Sequence, residues 1–119
     1  MTRISAVLAA AVCALVLVAS TAAMGSATKL TGTVGPGFTI TLKKGGKTVK
    51  SLKAGTYTIA VSDKSNIHDF HLKGPGVNKV ITATPFTGSK SVTVKLKKGK
   101  YTYVCDPHKS SMKGSFTVT

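Results

Sequence analysis

Acidic side chains are nearly absent from this chain. Its 119 residues hold three aspartates, Asp63, Asp69 and Asp106, and no glutamate. So few carboxylates leave no paired-carboxylate site for general acid and base work, and no enzyme is expected. Arginine occurs once, as Arg3. Cysteine occurs twice, as Cys13 and Cys105. Helical periodicity is missing after the first two dozen residues, which excludes a helical bundle for the body of the chain.

One long apolar run is present, Ala6 to Ala19, behind the basic head Met1-Thr2-Arg3 and ahead of the small residues Ser20 to Ala27. This is the layout of a secretory signal peptide. The run is about 14 residues, short of the ~20 that span a bilayer. A leader over residues 1–23 is expected, with the cut between 22 and 27, followed by one domain over 28–119. Removal of the leader takes Cys13 and Arg3 with it. A domain of roughly 93 residues buries about two-thirds of its unfolded surface and folds alone. It carries Cys105 as a lone thiol in an oxidising, extracytoplasmic compartment, where such a cysteine pairs, reacts or binds metal.

What is abundant is lysine. Sixteen lysines against three aspartates leave the exported domain at a net charge of +13. Export, the lack of arginine and the scatter of the lysines argue against nucleic acid. An acidic redox partner protein or an anionic envelope surface is the expected partner, with the domain itself a monomer.

The body of the chain reads as short alternating segments separated by Gly, Pro, Asn and Asp, the mark of an all-β domain. Leu30 to Val34 and Phe38 to Leu42 alternate about the turn Gly35-Pro36-Gly37. Tyr57, Ile59 and Val61 share a face, as do Phe70 and Leu72, then Val92, Val94 and Leu96, then Tyr101, Tyr103 and Cys105, with Phe116 and Val118 last. Seven or eight such strands predict a two-sheet β-sandwich with one wet face per sheet. A near-repeat, Leu52-Lys53-Ala54-Gly55-Thr56-Tyr57-Thr58 and Leu96-Lys97-Lys98-Gly99-Lys100-Tyr101-Thr102, predicts two equivalent corners where the chain changes sheet. Each tyrosine hydroxyl is expected to bond back to upstream backbone.

The chemistry concentrates in Cys105-Asp106-Pro107-His108-Lys109-Ser110-Ser111-Met112. A thiolate, an imidazole and a thioether fall within eight residues between two strands. Soft sulfur suits Cu(I), imidazole suits both copper states, and two His, one Cys and a weak axial Met make the blue-copper set. Zinc also takes Cys and His, but structural zinc sites do not use thioether. The second histidine must be His68 or His71. His68, Phe70 and Leu72 share the core face of their strand, whereas Asp69, His71 and Lys73 face solvent. Parity therefore selects His68 and excludes His71 from the same metal.

These residues resemble the cupredoxin family, in its plastocyanin and azurin types, over nearly the whole exported domain. The matching pieces are Asn66-Ile67-His68-Asp69-Phe70, Gly99-Lys100-Tyr101-Thr102-Tyr103-Val104-Cys105, and the Cys-x-x-His loop running into Met112 and Gly114. The resemblance implies a Greek-key sandwich and one type 1 copper, with His68, Cys105 and His108 as equatorial ligands and Met112 as the axial one. It also implies electron transfer through the solvent-facing edge of His108. Two departures stand out: three residues separate His108 from Met112, and Asp69 occupies a place where the family commonly has Asn. There is no second ligand cluster for a substrate-binding copper. The alternatives to an electron carrier are a protein for copper delivery, buffering or resistance, and a metal-free adhesion module.

Overall fold

The computed structural model describes residues 27–119, so the expected leader lies outside the described residues. Two five-stranded sheets form. The first contains β1 (Thr28–Val34), β2 (Ile40–Lys44), β3 (Lys47–Thr48), β5 (Gly55–Asp63) and β8 (Gly88–Leu96), in the order β3-β2-β1-β5-β8. The second contains β4 (Ser51–Leu52), β6 (Phe70–Gly74), β7 (Val77–Thr82), β9 (Gly99–Val104) and β10 (Lys113–Val118), in the order β4-β10-β9-β6-β7. Both sheets are mixed, because β1 runs parallel to β5 and β4 parallel to β10.

The alternation read from the sequence becomes burial. In β5, Tyr57, Ile59, Val61 and Asp63 are buried while the residues between them are not. The core joins inner faces of both sheets: Leu30, Leu42, Ile59 and Leu96 meet Phe70, Leu72, Tyr101 and Phe116. Phe70 stacks on Tyr103 and Tyr101 on Phe116, with ring centroids 5.7 and 5.3 Å apart. Those rings need room on the neighbouring strands. A Cβ at Gly74 would overlap the Tyr101 ring, and one at Gly114 the Tyr103 ring, so glycine is the residue that fits at both.

The strand count exceeds seven or eight, with ten among the described residues. Two of them, β3 and β4, are two-residue pairings too short to carry an alternating pattern. The edge strand β7 buries only its last two residues and shows no alternation either. The near-repeat does mark sheet changes. The chain passes from β4 in the second sheet to β5 in the first, and from β8 in the first to β9 in the second. At the first corner the Tyr57 hydroxyl donates to Lys53 O at 2.6 Å. At the second, the Tyr101 hydroxyl accepts from Lys97 N–H at 2.9 Å and lies 2.9 Å from Pro75 O and 3.1 Å from Lys97 O.

These corners set up the site. Strands β5 and β9 each begin at a tyrosine corner, and their far ends lead directly into the segments that carry His68 and Cys105.

Candidate metal centre

Cys105 follows the last residue of β9 and faces the core, fully buried. Beyond it runs a single 3-10 turn, Asp106–His108, with Pro107 as its second residue, a first-turn place that suits a fixed φ and no N–H to lose. His108 N–H donates to Cys105 O at 3.0 Å, and Met112 N–H donates to His108 O at 2.8 Å. The second bond closes one helical turn, which is what three intervening residues allow. Cys105 N–H then donates to Met112 O at 3.0 Å. The loop is thus a closed ring of backbone bonds, and Met112 lies folded beneath it with no exposed surface.

His68 arrives from the other side. It precedes β6, which begins at Phe70, and is fully buried. Its ring is backed by Gly35, where a Cβ would press within 3.2 Å of the imidazole and 3.0 Å of Ser65 Cβ. Gly35 also has φ +74°, a conformation that favours glycine.

Three donor atoms converge. His68 Nδ1 and His108 Nδ1 are 3.2 Å apart, and Cys105 Sγ lies 3.7 Å from the first and 3.6 Å from the second. Metal–nitrogen and metal–sulfur bonds of about 2.0 and 2.3 Å put the edges of a planar triangle at roughly 3.5–3.7 Å, so the trio fits one ion. The expected ligands His68, Cys105 and His108 therefore come together. Met112 lies buried in the adjoining core.

Charge around the site is arranged by Asp69 and Asp106. Asp69 is buried, and its Oδ1 accepts from Asp106 N–H at 2.6 Å, while its own N–H reaches Cys105 Sγ at 3.4 Å. An aspartate thus ties the two ligand segments together as an acceptor, in the place where the sequence departs from the usual Asn. Burial, then the neighbouring Asp106 side chain, pushes the Asp69 carboxyl up to about 6. Burial also opposes ionisation of Asp106, but hydrogen bonds from Asp69 and His71 outweigh it and hold that carboxyl below its ordinary value. Burial raises the Cys105 thiol, against hydrogen bonds from the Asp69 and His108 backbone.

Three sequence expectations need correction. Asp69 does not face solvent, because the chain is not yet in the strand at that position. His71 does turn away from the core, as parity requires, but its side chain is only 12% exposed. It is enclosed by Asp106 and Asn78, whose Oδ1 bonds His71 Nε2. Phe38 does not share a buried strand face with Ile40 and Leu42. The turn at Gly35, closed by its N–H to Thr39 O at 2.9 Å, delays β2 until Ile40. Phe38 is 60% exposed and sits edge-on over His68 and His108, at ring-centroid distances of 5.3 and 4.9 Å. The signal for that role was local: a large aromatic directly after Gly-Pro-Gly sits in a turn, where alternation stops applying.

The model of copper-binding proteins of the plastocyanin/azurin family matches residues 21–119. The chain belongs to that family. One copper ion is the cofactor, and His68, Cys105 and His108 are the group among the described residues whose donor atoms could hold it. Solved rusticyanin structures share this cupredoxin fold. Reduced rusticyanin is 23% identical with a TM-score of 0.57, over 80% of this chain and 81% of that one. Rusticyanin from Thiobacillus ferrooxidans is 24% identical with a TM-score of 0.53, over 80% and 79%. No curated protein sequence matches the chain.

Proposed function

We propose that this cupredoxin is an extracytoplasmic electron carrier, with Met112 as axial ligand beneath the equatorial His68, Cys105 and His108. The observation that carries the reading is a convergent donor triangle, with Cys105 and His108 in a loop closed by backbone bonds and His68 meeting them from the segment before β6. Copper supplies the one-electron Cu(I)/Cu(II) couple. The chain supplies fixed donors: the ring of backbone bonds from Cys105 to Met112 and the Asp69 tie keep ligand positions nearly constant between the two states. His68, Cys105 and Met112 are fully buried and His108 is partly so. The metal is therefore reached along the His108 edge, a geometry for passing electrons and not for binding a substrate. Full burial and the helical turn that folds it back support Met112 as the fourth ligand.

The leader-like start of the sequence supports export, and no helix among the described residues is long and apolar enough to cross a membrane. The partner is an acidic redox protein. Among the described residues the basic side chain at salt-bridge distance from a carboxylate is His71, beside Asp106, so no described lysine lies at such a distance from one. Lys73, Lys100, Lys109 and Lys113 line one open groove on the outer face of β6, β9 and β10, beside the copper loop. Such a cluster steers an acidic surface to the loop.

Cu(II) added to the leader-free domain should bind one to one and give an intense visible thiolate-to-copper band. Cys105→Ser should abolish that band, whereas Met112→Leu should keep it and shift the potential. Stopped-flow electron transfer with an acidic redox protein should slow steeply as salt rises, since screening shortens to ~8 Å at physiological ionic strength. Fast copper release to a competing chelator with sluggish electron exchange would favour copper delivery instead.

A further inference from the structure

His71 is the histidine that the copper site leaves unused. It is enclosed on the outer face of the second sheet and has both ring nitrogens engaged: Nδ1 lies 2.8 Å from Asp106 Oδ2, and Nε2 bonds Asn78 Oδ1. Its partners come from different elements. Asn78 belongs to β7, and Asp106 directly follows the ligand Cys105. His71 pairs with Val104 in the β6–β9 ladder, and Asp106, two residues further on, lies within reach of an outward side chain on the same face. The polar bridge Asn78–His71–Asp106 therefore spans three neighbouring strand lines and ends on the copper loop.

Asp69, just before β6, makes contacts to the same segment. Asp69 Oδ1 accepts from Asp106 N–H, and Asp69 N–H reaches Cys105 Sγ. The segment Cys105–Asp106 is thus held by Asp69 at its backbone and sulfur and by His71 at the Asp106 side chain, and the two residues that hold it are two apart on the chain. The Asp69 contacts hold the backbone of the segment and the Cys105 sulfur; the His71 contact adds a hold on the Asp106 side chain, which restricts rotation of the segment about the Asp69 ties.

We propose that His71 is a positioning residue for copper. Its hydrogen bond to the Asp106 carboxylate, braced by Asn78, locks the Cys105 sulfur in register with the two ligand imidazoles. The proposal rests on the copper site itself and not on the electron-carrier reading. Contacts that orient a ligand from behind commonly matter about 10–100-fold in metal affinity.

The test uses the copper-loaded domain and its metal-free form. His71→Ala should keep one-to-one copper and the visible band, but speed copper loss to a competing chelator by about tenfold. In the metal-free protein, amide hydrogen exchange at Asp106 should accelerate relative to the wild type, with core strand amides unchanged. His71→Gln, which retains one N–H donor, should recover much of both effects. Asp106→Ala should match His71→Ala, and the double variant should be no worse than either single one. Unchanged copper loss in both His71→Ala and His71→Gln would overturn the proposal, as would additive effects in the double variant. If His71→Ala fails to fold, the glutamine variant and Asp106→Ala carry the same comparison.

Discussion

The two ends of the sandwich are built by different rules. At the corner end, β5 and β9 start from near-identical sequence, and each tyrosine hydroxyl meets the backbone four residues upstream. Everything there is local and repeated. At the copper end the same two strands run out into segments with nothing in common, and all three aspartates gather there. Asp63 accepts from Ser65 N–H at 3.1 Å, Asp69 ties to Asp106, and Asp106 to His71. Each of those aspartates holds a loop segment, while the lysines cover the rest. The corner end gains stability from regular bonding, whereas the copper end uses polar contacts to place a few atoms.

The corners themselves differ in weight, and the largest expected effect tests that. Tyr101→Phe removes a hydroxyl placed among Lys97 N–H, Lys97 O and Pro75 O and should cost about 2–3 kcal/mol in denaturant unfolding. Tyr57→Phe removes one bond and should cost about 1 kcal/mol. Neither should alter the copper spectrum. A spectral change in the Tyr101 variant would show that the two ends are mechanically coupled.

The next effect belongs to the copper end. The Asp69 carboxyl is raised to about 6 from an ordinary 3.8, so the folded metal-free protein binds that proton more tightly than the unfolded chain does. Stability should therefore fall as pH rises from about 3.8 through about 6, then level off, by up to about 3 kcal/mol. Asp106, held low, works in the opposite sense below about pH 3.8. Asp69→Asn keeps an oxygen for Asp106 N–H and should flatten the slope between pH 4 and about 6. Thermal unfolding of both proteins across that range measures it.

The smallest expected effect is Phe38→Ala. The ring is mostly exposed, so its loss should change stability by under about 1 kcal/mol. Its edge contacts shield both ligand imidazoles, and water admitted there favours the more highly charged Cu(II). The reduction potential should fall in voltammetry. An unchanged potential would mean that the ring covers the site without shielding it.

Much of this molecule was legible in one dimension because its main signals are short-range. Parity separated an inward His68 from an outward His71, although only His71 lies within β6, and the corners were visible as a repeat of seven residues. The copper loop was visible because three donor types fall within eight residues. The two-residue strands β3 and β4 were not legible, since a pair of residues has no period, and β7 was not, since its outer half is solvated on both faces.

Composition, parity and donor spacing by themselves determined an all-β sandwich with a copper loop and an unused third histidine. Only the tertiary structure decided what the neighbours of that loop do. The contacts of Asp69 and His71 with Asp106 span 37 and 35 residues of chain, and Phe38 reaches His68 from thirty residues away. No local pattern encodes such pairings. They exist because two sheets and three loops close on one another, which places side chains from distant turns within a few ångströms of the same sulfur.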